Sequence, residues 1–113
     1  MIPSNRKVGK ELFKTLLKSG RTCQSESFFV RTSLNSKLPD SKFSVVVSKK
    51  IEKTAVGRNF FKRTLYSILA SFLKRVKNGT VCVFFVKKNI IGRNRLQLET
   101  ETSNVLKKLS LLR

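Results

Sequence analysis

The stretch "TVCVFFV" (Thr80–Val86) leaves few folds open. Val81, Val83 and Phe85 alternate with Cys82, Phe84 and Val86, so both faces of an extended segment are apolar. Such a strand has no side to give to water. It must be central in a sheet, or covered on both faces. It is also far too short to cross a bilayer. The rest of the chain therefore has to supply neighbouring strands and covering layers.

Those parts can be read along the sequence. "RKVGKELFKTLLKSG" predicts a first helix with Leu12, Phe13, Leu16 and Leu17 on one face and a row of lysines opposite, read as a solvated surface. Gly20 is the expected stop. "SFFVRTSL" (Ser27–Leu34) alternates as a strand, with Phe28, Val30, Thr32 and Leu34 on one side and Phe29, Arg31 and Ser33 on the other. A short extra strand is expected around Cys23–Ser25. Pro39-Asp40 marks a turn into "KFSVVVSKK" (Lys42–Lys50), a second strand expected to pair antiparallel with the first as a hairpin. A helix from Ala55 to about Lys77 follows, with Phe61, Leu65, Ile68, Phe72 and Val76 as its core stripe. After the Thr80–Val86 strand, "NIIGRNRLQ" is read as a polar connection. "LETETSNVLKKLSLLR" closes as a helix with acids first and bases last, as the macrodipole prefers. The order α–β–β–α–β–α, without regular alternation, predicts a small α+β sandwich in a single domain over residues 1–113.

Charge narrows the function. Lys and Arg number 25, Asp and Glu number 6, and the formal net charge is +19. Self-repulsion of that size implies a polyanionic partner. The N-terminus has no apolar signal region, which points to the cytoplasm and makes nucleic acid the expected polyanion. Cys23 and Cys82 stand alone, without metal-site spacing, and are read as reduced thiols. His is absent and the acids are scattered, which argues against a nuclease acting by its own side chains.

The segment "AVGRNFFKRTLYSIL" (Ala55–Leu69) combines a core with a grip. On a helical wheel with Arg58 at zero, Phe61, Leu65, Ile68 and Phe72 fall between about 280° and 340°. Arg58, Asn59, Lys62 and Tyr66 fall between about 0° and 100°, Arg63 near 140° and Phe60 near 200°. The second set can track phosphates and stack on a base. Lys49, Lys50 and Lys53 gather at the anion-favouring start of the helix.

These residues resemble the protein subunit of bacterial ribonuclease P. That family carries a strand ending in "SVSKK", a short loop and a helix opening "AV-x-R-N-R-x-x-K-R". Here the places read "SVVVSKK" (Ser44–Lys50) and "AVGRNFFKR" (Ala55–Arg63), with the basic first helix and the apolar third strand in matching order. Nearly the whole chain takes part. Phe60 stands where the family has its second arginine, and the loop after "SKK" is one residue longer than in many relatives. A second "RN-R" at Arg93–Arg95 is read as coincidence, for want of a helix.

The resemblance implies a four-stranded, mostly antiparallel sheet packed by helices, with a left-handed β-α-β crossover around the basic helix. It implies that a catalytic RNA with bound magnesium cuts the 5′ leader from precursor tRNA. The Mg ions would be held mainly by that RNA and none by the protein alone. The implied partners are the catalytic ribonuclease P RNA and precursor tRNA, with no membrane and no obligate protein partner. Carried over by position, Phe13 and Leu17 would line the first-helix side of a leader cleft, and Phe29 and Arg31 its sheet side. Arg58, Asn59, Lys62 and Tyr66 would line the wall given by the basic helix. Arg63, Lys49 and Lys50 would face the catalytic RNA, with Lys53 beside them. Phe13 and Leu17 also fit plain core. A ribosomal or ribosome-assembly protein fits the charge equally well and is separated only by the motif.

Overall fold

The structure is a computed structural model that describes residues 8–34 and 40–112. Helix α1 (Lys10–Ser19) leads into strands β1 (Arg21–Gln24), β2 (Phe28–Leu34) and β3 (Lys42–Val46). Helix α2 (Ala55–Phe72), strand β4 (Thr80–Val86), a 3₁₀ turn at Lys88–Ile90 and helix α3 (Arg95–Lys108) complete the chain. The strand order is β1-β2-β4-β3, with β1/β2 and β2/β4 antiparallel and β4/β3 parallel.

The doubly apolar strand is central, as its composition requires. Val30 and Val45 flank Phe84, and Phe43 flanks Cys82, on one face. That face is sealed by Leu65, Ile68 and Leu69 of α2 and Leu98, Val105 and Leu106 of α3. Phe28, Phe43 and Phe84 are wholly buried there, each contributing roughly 1.5–3 kcal/mol. Val81 and Val83 on the other face meet Leu16 of α1, with Val8, Phe13, Val46 and Phe85 around them. The layers are thus α1, sheet, then α2 beside α3.

Four expectations are corrected. The segments Phe28–Leu34 and Lys42–Val46 do not form a hairpin, because β4 lies between them and pairs with both. A strand apolar on both faces gains most from the position with a neighbour on each edge, and the other two strands flank it. The expected turn at Pro39-Asp40 lies partly outside the described residues. Helix α2 ends at Phe72, short of Lys77. Val76 is fully buried as expected, but as extended chain bridged to Leu112, and the Lys77 N–H donates to the Leu111 carbonyl at 2.8 Å. Gly79, at φ +82°, turns the chain into β4. The connection "NIIGRNRLQ" already contains the start of α3, and the second "RN-R" does open a helix. Asn94 caps it, accepting from the Gln97 N–H at 2.8 Å while the Gln97 side chain accepts from the Asn94 N–H at 2.9 Å. Gly20 ends α1 without a left-handed turn, at φ −73°. Its role is close packing, since a Cβ there would sit 2.7 Å from the Leu16 carbonyl and 3.2 Å from that of Thr32.

Candidate nucleic-acid interface

The start of α2 is built by its own loop. Thr54 caps it, its Oγ1 accepting from the Gly57 N–H at 3.0 Å. Glu52 reaches the same point, accepting from the Thr54 N–H at 3.2 Å and from its hydroxyl at 3.1 Å. A carboxylate of this chain therefore already stands at the end expected to draw anions. Arg58 turns back, its Nη1 donating to the carbonyls of Glu52 at 2.9 Å and Lys53 at 2.8 Å. That pair of bonds fixes the loop against the helix. Lys49, Lys50 and Lys53 are exposed around it, and the turn closes through the Ile51 and Glu52 N–H groups on the Ser48 carbonyl.

Along the helix, Asn59 and Arg63 are exposed, and Lys62 is half-buried. Phe60 points outward at 64% exposure, edge-on to Phe61 with ring centroids 5.8 Å apart, and Val56 one turn earlier is 81% exposed. The bases and the outward aromatic thus share one surface, while Leu65, Ile68, Leu69 and Phe72 face the sheet.

Tyr66 is corrected. Its ring is buried, and its hydroxyl accepts from the Val45 N–H at 3.0 Å, so it offers no stacking surface. Strand β3 is at the sheet edge, with β4 on one side only. Its outer edge needs acceptors, and Tyr66, at the margin of the core stripe, supplies one.

The sheet face under α1 carries the second group. Phe13 of α1 and Phe29 of β2 both pack on Phe85 of β4, with centroids 6.1 and 6.0 Å away, and the Arg31 guanidinium lies 5.9 Å from the Phe29 ring centre. All four are half-buried, so the rings are partly covered and partly open. Leu17 lies in α1, with its side chain outside the described residues. Phe85 was missed from sequence, although Val81, Val83 and Phe85 alternate onto the face of Phe29 and Arg31. Helix α2 packs on the opposite face from α1, so the basic helix and the aromatic group on β2 and β4 lie on opposite faces of the sheet. Cys23 and Cys82 are free thiols, and burial pushes the Cys82 thiol far above its usual range, which keeps it unreactive. Among the described residues, no three His, Cys, Asp or Glu side chains come together as a metal site, and no helix is long and apolar enough to cross a membrane.

A mixed four-stranded sheet with α2 and α3 on one face and α1 on the other is the fold of solved RNase P proteins. The RNase P protein of Staphylococcus aureus superposes with a TM-score of 0.85 over 98% of this chain and 100% of that one, at 21% identity. The protein from Thermotoga maritima gives 0.79 over 90% and 96%, at 22% identity. The family model described as Ribonuclease P matches residues 3–110. The ribonuclease P protein component of Pseudanabaena sp. (strain PCC 6903) is 30% identical over 113 residues, covering 99% of this chain and 97% of its own. That of Synechococcus elongatus is 29% identical over 103 residues, covering 88% and 80%. The chain belongs to the ribonuclease P protein family. It is of the type that forms the protein component of an endoribonuclease ribonucleoprotein, which implies an RNA partner in the holoenzyme.

Proposed function

We propose that this chain is the non-catalytic, RNA-binding subunit of ribonuclease P and assists a catalytic RNA in removing the 5′ leader of precursor tRNA in the cytoplasm. Lys49, Lys50, Lys53 and Arg63 contact the catalytic RNA. Asn59 and Lys62 lie toward the substrate, and Arg58 holds the loop that presents the lysines. The single-stranded leader rests on Phe13, Phe29, Arg31 and Phe85, where rings take bases and the guanidinium takes a phosphate. The observation that carries this reading is the group of exposed bases formed by Lys49, Lys50 and Lys53 ahead of α2 and Arg63 on it, together with a partly open aromatic sheet face, in a chain of this family. Magnesium is held mainly by the RNA. The chain has no His, and among its described carboxylates Glu26, Glu52, Glu99 and Glu101 are bound to Arg93, to Thr54, to Arg95 and to the Ser25–Ser27 turn, which favours binding over chemistry as the protein's share.

Reconstitution with a ribonuclease P RNA and a precursor tRNA tests it. The protein alone should cleave nothing, and should lower the magnesium that the RNA needs. Phe29→Ala should weaken precursor tRNA by about 1–2 kcal/mol and leave mature tRNA unchanged, because only the precursor has a leader. Equal loss for both tRNAs would remove the leader from the aromatic face. Cleavage by protein free of RNA would remove the subunit role.

A further inference from the structure

The lysine-rich loop and the start of α2 lie at one end of the sheet. Strands β3 and β4 both run toward that end, and α2 returns from it over 18 residues, or about 27 Å at the helical rise. A second concentration of bases waits where the return is complete. Arg75 and Lys77 follow α2, Lys107 and Lys108 finish α3, and Arg21 opens β1; all five are exposed. Segments far apart in sequence are bound together here. Val76 bridges Leu112, the Lys77 N–H donates to the Leu111 carbonyl, and Arg21 Nη2 donates to the Leu109 carbonyl at 3.0 Å. The Arg75 guanidinium is laid on the Phe72 ring, 4.7 Å from its centre, which holds its fork in place.

We propose that this end is a second phosphate-binding surface, taking the sugar–phosphate backbone of a folded RNA segment separate from the one that the start of α2 takes. The proposal rests on the ribonuclease P reading for its partner. The competing explanation is that bases gather here to complement helix C-termini, those of α2 and α3 and that of α1, which ends beside Arg21. Each C-terminus carries only about half a negative charge, so the three of them balance between one and two of these five cations. The remainder repel one another, and the acids do little to relieve them. Glu26 and Glu52 sit in turns at the opposite end of the sheet and Glu11 at the start of α1, while Glu99 and Glu101 are tied to Arg95 and to the Ser25–Ser27 turn. That leaves Asp40, just ahead of β3, on the same end of the sheet as the five bases. Among the described residues, Arg75, Lys77, Lys107 and Lys108 enter no ion pair with an acid. A cluster with this excess of positive charge is an anion-binding surface. The two basic ends stand farther apart than the Debye length of about 8–10 Å, so each meets its own phosphates and their contributions add.

The test compares the wild-type chain, the variant Arg75→Gln/Lys77→Gln/Lys107→Gln/Lys108→Gln, and Arg63→Gln, midway along α2, as a control in the first surface. Affinity for ribonuclease P RNA is measured between about 50 and 200 mM salt. The four-fold variant should bind at least about tenfold more weakly near 0.1 M salt, with a log–log slope shallower by roughly 2–4. Its thermal midpoint should hold or rise, because like charges have been removed. Binding of mature tRNA to the reconstituted holoenzyme is the second arm. Loss in that arm alone supports the surface and gives the phosphates to tRNA. An unchanged slope and affinity in both arms, with a lower thermal midpoint, would leave these bases to the helix ends and overturn the proposal. If Arg63→Gln flattens the slope while the four-fold variant changes neither the slope nor the binding of mature tRNA, the second surface falls and the subunit reading stands. If the folded wild-type chain fails to bind ribonuclease P RNA, the subunit reading falls and takes this one with it.

Discussion

The Tyr66 hydroxyl sits on an edge strand's backbone, and that placement decides what the residue can do. Tyr66→Phe keeps the ring and leaves the Val45 N–H without this acceptor at a buried position. The cost should be about 1–2 kcal/mol in urea unfolding. The salt dependence of RNA binding should not move, whereas a change in RNA affinity without a change in stability would return Tyr66 to the interface. Phe60 is the opposite case. It is 64% exposed and touches Phe61 edge-on, so Phe60→Arg removes little packing. Stability should stay within about 0.5 kcal/mol. RNA binding should gain up to one phosphate contact, read as a log–log salt slope steeper by about 0.9. A variant that unfolds would show instead that the ring is a packing residue.

At the element scale, two glycines separate a helix that can yield from one that cannot. A Cβ on Gly57 would come within 2.6 Å of the Glu52 side chain and 2.9 Å of Thr54 Oγ1. Swinging the Glu52 side chain away gives up its two bonds to Thr54, a loss that alanine's advantage of about 1 kcal/mol over glycine inside a helix offsets. Gly57→Ala should therefore be close to neutral. On Gly20 the same atom meets carbonyls of α1 and β2, so the helix has to lift from the sheet. Gly20→Ala should cost about 1–3 kcal/mol, and a denaturant midpoint unchanged from wild type would contradict the tight approach of α1 to β2. The helices and the central strand were legible because period and composition are local properties. Strand order was not. The turn residues before Lys42 suggest a hairpin, yet the neighbour of β3 is chosen by a strand that begins at Thr80. The end of α2 was overrun because Val76 keeps the apolar rhythm while leaving the helix. For α3 the signal was present, since Asn94 and Gln97 stand in capping-box spacing. In the site, the exposed bases could be read from the wheel. The burial of Tyr66 could not, because a wheel gives an angle without saying which strand lacks an acceptor.

For the whole molecule, charge sets the form of binding. With a net charge of +19 and bases at both ends of α2, affinity for RNA should be strongly salt-dependent. Neutralising on the order of five to eight phosphates gives a slope of log K against log salt of roughly −4 to −7. A slope near zero in a filter-binding or anisotropy titration would place the charge away from the interface. The central position of β4 has a further consequence, for the chain while it is being made. On the ribosome, β1, β2 and β3 emerge first and β4, which joins β2 to β3, emerges last. Until Val86 is out, β2 and β3 have no strand in common, and the β1–β2 hairpin alone is marginal in water. Assembly is thereby deferred to one late event near the end of translation, and any interruption before it leaves apolar strands without a partner. A chain stopped after Gly79 should show helix but no stable sheet by circular dichroism. A folded sheet in that fragment would mean that the early strands can wait together without their centre.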